Sequence, residues 1–121
     1  MRCKCLYFQE TLFLSSYSAF GPATPNLDML LKQSGIDTVL IAGTLTNVCC
    51  ETTARDAVVY DYHTIMLSDA NAARTDEDHA NTLNNFMIYF GEVMTVEQTI
   101  ERLLPAAVKP VPLLRAEAPL T

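Results

Sequence analysis

Positive charge is scarce in this chain. Eight Lys and Arg stand against fourteen Asp and Glu, for a formal charge of -6 over 121 residues. A surface of that sign repels phosphate backbones, so the sequence predicts no nucleic-acid partner. Long hydrophobic runs are also lacking: nothing approaches the ~20 apolar residues of a membrane helix, and no membrane partner is expected. A secretory leader is poorly supported. Arg2 and Lys4 precede an apolar stretch, but Gln9 and Glu10 interrupt it and no small-x-small cleavage site follows. The four cysteines form two tight pairs, Cys3/Cys5 and Cys49/Cys50. Neither pair has the CxxC knuckle or Cys/His spacing of a zinc site, and the chain is too large and apolar to need a disulfide framework. The expectation is reduced thiols in a cytoplasmic protein with no metal and no cofactor.

What is present is the composition of a single globular domain, half hydrophobic and 18% charged. Thr24-Pro25 opens a helix over about 25–34, with Thr24 as cap, Leu27, Leu30 and Leu31 on one face, and Gly35 as the stop. Thr38 to Gly43 is a short apolar run rich in β-branched residues, suited to a parallel strand covered on both faces. A helix over about 47–60 carries Cys49, Thr53, Ala57 and Tyr60 on one stripe. His63 to Ser68 reads as a second buried strand. A helix over about 76–90 follows, capped by Thr75, with Leu83, Phe86, Met87 and Phe90 on one face. Residues 92–95 make a brief third strand, and Thr95-Val96-Glu97-Gln98 is a capping box opening a last helix to about Leu104.

Alternating strands and helices predict an α/β fold with a parallel sheet. Right-handed crossovers set the three strands side by side. The Pro-rich tail over 105–121 reads as a flexible arm, and residues 6 to 20 fit either another strand or an unpacked segment.

In an open parallel sheet, ligands bind beyond the carboxyl ends of the strands. Gly43 marks such an end, and Cys49 follows at the start of the next helix. Helix N-termini offer free N–H groups and a partial positive charge of ~0.5, which favour a thiolate. Spacing alone favours a buried structural thiol over a nucleophile at such a turn. Cys50 points about 100° away and reads as core. His63 and His79 lack a partner at metal-ligand spacing, and Asp76-Glu77-Asp78 reads as a solvated helix cap.

The residues around Cys49 shift that balance. Asp37 to Ala57, and within it Gly43-Thr-Leu-Thr46-Asn47-Val-Cys49-Cys-Glu51-Thr-Thr-Ala54-Arg55-Asp56-Ala57, closely resembles the isochorismatase-like cysteine hydrolases. The nucleophile segment of that superfamily looks like G-x-x-T-N-x-C-V-E-x-T-A-R-D-A; Cys50 stands where Val is usual. The likeness extends through Tyr17-Ser18-Ala19-Phe20, Ser68-Asp69-Ala70, His79 with Leu83, and Phe90-Gly91-Glu92-Val93, over about residues 17 to 104.

The resemblance implies a three-layer, Rossmann-like fold of strand order 3-2-1-4-5-6, of which this chain holds the last three strands. It maps the nucleophile to Cys49, the oxyanion-hole donors to the N–H groups of Leu45 and Cys49, and a cis peptide to Thr44–Leu45. Phe20 either lines the pocket, as the matching aromatic does in the family, or belongs to the core. The implied reaction is hydrolysis of a C–N bond in a small amide or carbamoyl substrate through a Cys49 thioester. Homo-oligomers are common in the family.

Two family features have no match. The Asp of an early I-D-x-Q-x-D-like segment is not found before Tyr17, and the Lys expected three residues before Tyr17 is Leu14. Residues 1–16 read as a leader foreign to the family. The expectation is therefore a C-terminal half with weak activity. The alternatives are a silent fragment acting only in association and a redox-sensitive thiol protein.

Overall fold

The computed structural model describes residues 17–22 and 26–103. The leader, Leu14, Thr24, Pro25, Leu104 and the Pro-rich tail all lie outside the described residues.

The first helix, α1, spans Leu27–Gln33. The residue before it is Asn26, held at φ 67 with no side-chain cap. Asn tolerates this left-handed conformation better than most residues. The helix stops where the sequence predicts. Gly35 sits at φ 70, its N–H reaches the Lys32 carbonyl at 3.0 Å, and Ile36 N–H reaches Leu31 at 3.0 Å. These two bonds are a Schellman ending.

The first strand, β1, runs Thr38–Thr44. A five-residue π-helical turn, Thr46–Cys50, leads into α2, Glu51–Val59. The continuous α-helix expected over 47–60 is thus corrected at its start: Cys50 N–H bonds the Leu45 carbonyl five residues back, at 3.2 Å. The wider turn also changes which face is buried. Cys50, Ala54 and Ala57 are the buried residues, while Cys49 and Thr53 are half-buried and Tyr60 is exposed.

The second strand, β2, covers His63–Ala72 and is longer than the expected 63–68. It pairs in parallel with β1, Thr38 opposite His63 and Ile41 opposite Met66. The register then shifts, and Gly43 pairs with Asn71 and Thr44 with Ala72. The Asn71 amide holds this irregularity by donating to Leu67 O at 2.6 Å and Ile41 O at 2.8 Å. Thr64 to Leu67 are all buried, as a central parallel strand requires.

Helix α3, Asp76–Tyr89, begins at the expected cap, with Thr75 Oγ1 accepting from Asp78 N–H at 3.1 Å. Thr82, Leu83 and Phe86 are buried; Met87, expected on that face, is 56% exposed. The third strand, β3, is Glu92–Met94 and pairs in parallel with β2, giving the order β1-β2-β3. Helix α4, Val96–Leu103, opens on the predicted capping box: Gln98 N–H donates to Thr95 Oγ1 and Thr95 N–H to Gln98 Oε1.

The core has two parts. Ile41, Cys50, Ala54, Met66, Leu83 and Phe86 pack together beside the π turn. Leu27, Leu31, Ile36, Ala57 and Tyr62 form the second cluster, with Phe20 and Val39 against it. Among the described residues, no helix is long and apolar enough to cross a membrane.

Candidate active site

The site is built at the carboxyl end of β1. Gly43 there has φ 136, a region that disfavours a side chain, and a Cβ on it would lie 3.6 Å from the Cys50 sulfur. The Thr44–Leu45 peptide that follows is cis. The π turn then brings the chain into α2 with Cys49 half-buried and Cys50 buried.

The two thiols are in different environments. Cys49 Sγ donates to the Thr44 carbonyl at 2.9 Å, with the Leu45 carbonyl at 3.9 Å. No carboxylate, imidazole or ammonium group among the described residues hydrogen-bonds it. The Cys50 thiol is pushed up to about 12, chiefly because burial penalises its charged form and secondarily because Cys49 lies beside it. Cys50 is therefore a packing residue that stays protonated.

Backbone donors in the turn are largely assigned. Val48 and Cys50 N–H both donate to Leu45 O at 3.2 Å, and Glu51 N–H is directed to Thr46 O and Val48 O. These groups are occupied within the turn.

Three side chains fasten this region. Thr46 is fully buried, and its Oγ1 lies 2.7 Å from His79 Nδ1. His79 Nε2 lies 3.0 Å from Ser68 O. Asn71 ties the ends of β1 and β2 through the two carbonyls already named. The Oδ1 atoms of Asn47 and Asn71 are buried with no hydrogen-bond partner among the described residues.

Sequence reasoning placed Thr46 and His79 within the family likeness without giving either a role, and passed over Asn71. The Thr46–His79 contact spans 33 residues, a separation at which spacing carries no signal. Asn71 lies beyond the strand end expected at Ser68, so the sequence offered no clue to it.

Phe20 packs against the second core cluster. Its ring stacks on Tyr60 at 5.3 Å and meets Tyr62 at 5.8 Å. These ring contacts are the packing that the core alternative for Phe20 describes. Ser18 Oγ donates to Asp56 Oδ2 at 2.6 Å and Ala19 N–H to Thr53 Oγ1 at 3.1 Å, so the Tyr17–Phe20 segment is fastened to α2. Arg55 pairs with Glu51 at 3.0 Å and lies over the Phe90 ring at 4.6 Å.

The model of the isochorismatase domain family matches residues 9–98, starting ahead of the Tyr17 motif. The chain belongs to the isochorismatase family. It is 33% identical over 95 residues to nicotinamidase 3 of Arabidopsis thaliana, covering 78% of this chain and 47% of that protein. It is 35% identical over 92 residues to the ureidoacrylate amidohydrolase RutB of Yersinia enterocolitica, covering 75% and 39%. Among solved structures, an isochorismatase-like hydrolase from Alkaliphilus metalliredigens matches with a TM-score of 0.69 and 42% identity, over 82% of this chain and 55% of the other. The chain spans less than half the length of the curated relatives it matches.

Proposed function

We propose that this isochorismatase-family chain is a cysteine hydrolase that cleaves a C–N bond in a small amide or carbamoyl compound, with Cys49 as nucleophile. The observation that carries this reading is the half-buried Cys49 thiol at the carboxyl end of β1, beside a Cys50 that is buried and kept protonated. The Cys49 sulfur attacks the carbonyl carbon, and its proton leaves with the amine. The C–N bond breaks as the thioester forms. Water then adds to the thioester, releasing the carboxylic acid and returning the thiol. The N–H groups of Leu45 and Cys49 would receive the developing oxyanion. A vinyl-ether cleavage of the isochorismatase type makes no use of such a thioester, which favours the amide reading.

Turnover by this 121-residue chain is expected to be slow. No acid or base touches the Cys49 thiol among the described residues, and such help is worth ~10²–10⁴ in rate. The substrate class is a small molecule, and self-association through identical copies is part of the proposal, as is a cytoplasmic setting for the reduced thiols.

The test is ammonia release from a panel of small amides that includes nicotinamide and ureidoacrylate, suggested by the names of two relatives. Slow release that Cys49→Ala abolishes is the expected result. Full activity in Cys49→Ala would remove the thioester reading. No release together with no acylation of Cys49 would leave association as the better account.

A further inference from the structure

We infer that Thr46 and His79 form a positioning pair that sets where the Cys49 thiol lies. The inference takes its importance from the reading of Cys49 as nucleophile, but its observations are separate. Thr46 opens the π turn, three residues before Cys49, and is fully buried. A buried hydroxyl without a partner is costly, so its single contact to the His79 ring at 2.7 Å must be kept. The other ring nitrogen is 3.0 Å from the Ser68 carbonyl. A carbonyl oxygen can only accept, so Nε2 carries the proton. In the neutral ring, Nδ1 then has the lone pair and accepts from the Thr46 hydroxyl.

One imidazole therefore joins three elements: α3, which carries it; β2, through Ser68; and the π turn, through Thr46. The turn is otherwise closed by its own backbone bonds, and the Cys49 thiol rests on the Thr44 carbonyl at the end of β1. Those contacts are local. Thr46–His79 is the side-chain tie from the turn to a distant part of the chain, and it fixes the turn against the sheet. His79 is not a base for Cys49, since both its nitrogens are already engaged and neither contacts the thiol. It acts through Thr46.

The experiment follows acylation of the full chain by p-nitrophenyl acetate, with the modified thiol located by mass mapping. Thr46→Val removes the hydroxyl at nearly constant shape, and Cys49 acylation should fall by roughly ten- to a hundredfold, the scale of a small misplacement of a reacting group. Thr46→Ser keeps the hydroxyl and should restore the rate to near that of the parent. His79→Ala should slow acylation as much as Thr46→Val, and the double variant should be no slower than either. Thr99→Val, which deletes a buried hydroxyl bonded to Thr95 O elsewhere, should leave the rate unchanged.

Equal rates for Thr46→Val and the parent, a Thr46→Ser variant as slow as Thr46→Val, or additive losses in the double variant would each overturn the pair. So would an equal loss in Thr99→Val. Should Thr46→Val not fold, 15N spectra of the parent imidazole decide: the pair requires the Nε2–H tautomer at His79, and an Nδ1–H tautomer refutes it. Because Cys49 acylation is read directly, a failure of amide turnover would fell the proposed function and leave this inference standing, and the converse holds.

Discussion

Cys49 and Cys50 are adjacent in sequence, yet only the second is committed to the core. At neutral pH, brief iodoacetamide treatment should label Cys49 and spare Cys50 until the chain unfolds; mass mapping that found Cys50 modified first would contradict the placement of the turn. Cys50 also has a signature at alkaline pH. Its thiol is raised from 9.0 to about 12 in the folded chain, so above about pH 9 the unfolded state loses this proton first. Stability from Cys50 is complete below that pH and declines as pH rises toward 12. Tyr62 is raised as well, chiefly by burial and then by its bond to Asp28, and adds to the same decline. Thermal melts should show a smaller fall between pH 7 and about pH 10 in Cys50→Ala than in the parent; equal falls would contradict the assignment. At this scale the segment around Cys49 stood out in the sequence because a long local motif surrounds it. The contacts of His79, Thr46 and Asn71 did not, because their partners are set by the meeting of β1, β2 and α3, which no local pattern encodes.

Elements that end on side-chain chemistry were the legible ones. Thr75, Gly35 and the Thr95–Gln98 box act within a few residues of themselves, and the structure uses each as the sequence suggests. The π turn was hidden. A stripe of small residues fits Cys49-Thr53-Ala57 as well as Cys50-Ala54-Ala57, and only packing on β2 separates them. The far end of β2 was hidden for another reason: Asp69-Ala70-Asn71-Ala72 has no β-branched residue, and its pairing depends on the Asn71 amide. Close approach also fixes the joint between α3 and β3. A Cβ on Gly91 would fall 2.5 Å from the Thr64 carbonyl oxygen and 2.9 Å from Phe86. Backbone on one side and a buried ring on the other leave little room to yield. Gly91→Ala should therefore destabilise the chain by about 1–3 kcal/mol, as overpacking does, measurable by urea denaturation. An unchanged midpoint would mean the joint can open without cost.

For the molecule as a whole, the described sheet pairs β1 on one side only. Its sequence from Thr38 to Thr44 carries no charge and no proline, the usual protections of a strand edge. Leu40 is 39% exposed, and Ala42, Gly43 and Thr44 are exposed beyond it. An unprotected strand edge is a template for pairing, so self-association through β1 is what we propose. Leu40→Lys should lower self-association, read as a smaller weight-average mass in sedimentation at equal concentration; an unchanged mass would show that copies meet elsewhere. The three-strand order was legible from the alternation of strands and helices. The Thr44 carbonyl that receives the Cys49 proton belongs to the last residue of that same strand. Whatever zips onto the margin of β1 therefore meets the residue on whose carbonyl the Cys49 thiol rests. The speed at which Cys49 is labelled becomes a gauge of crowding, and dilution alone should retune it.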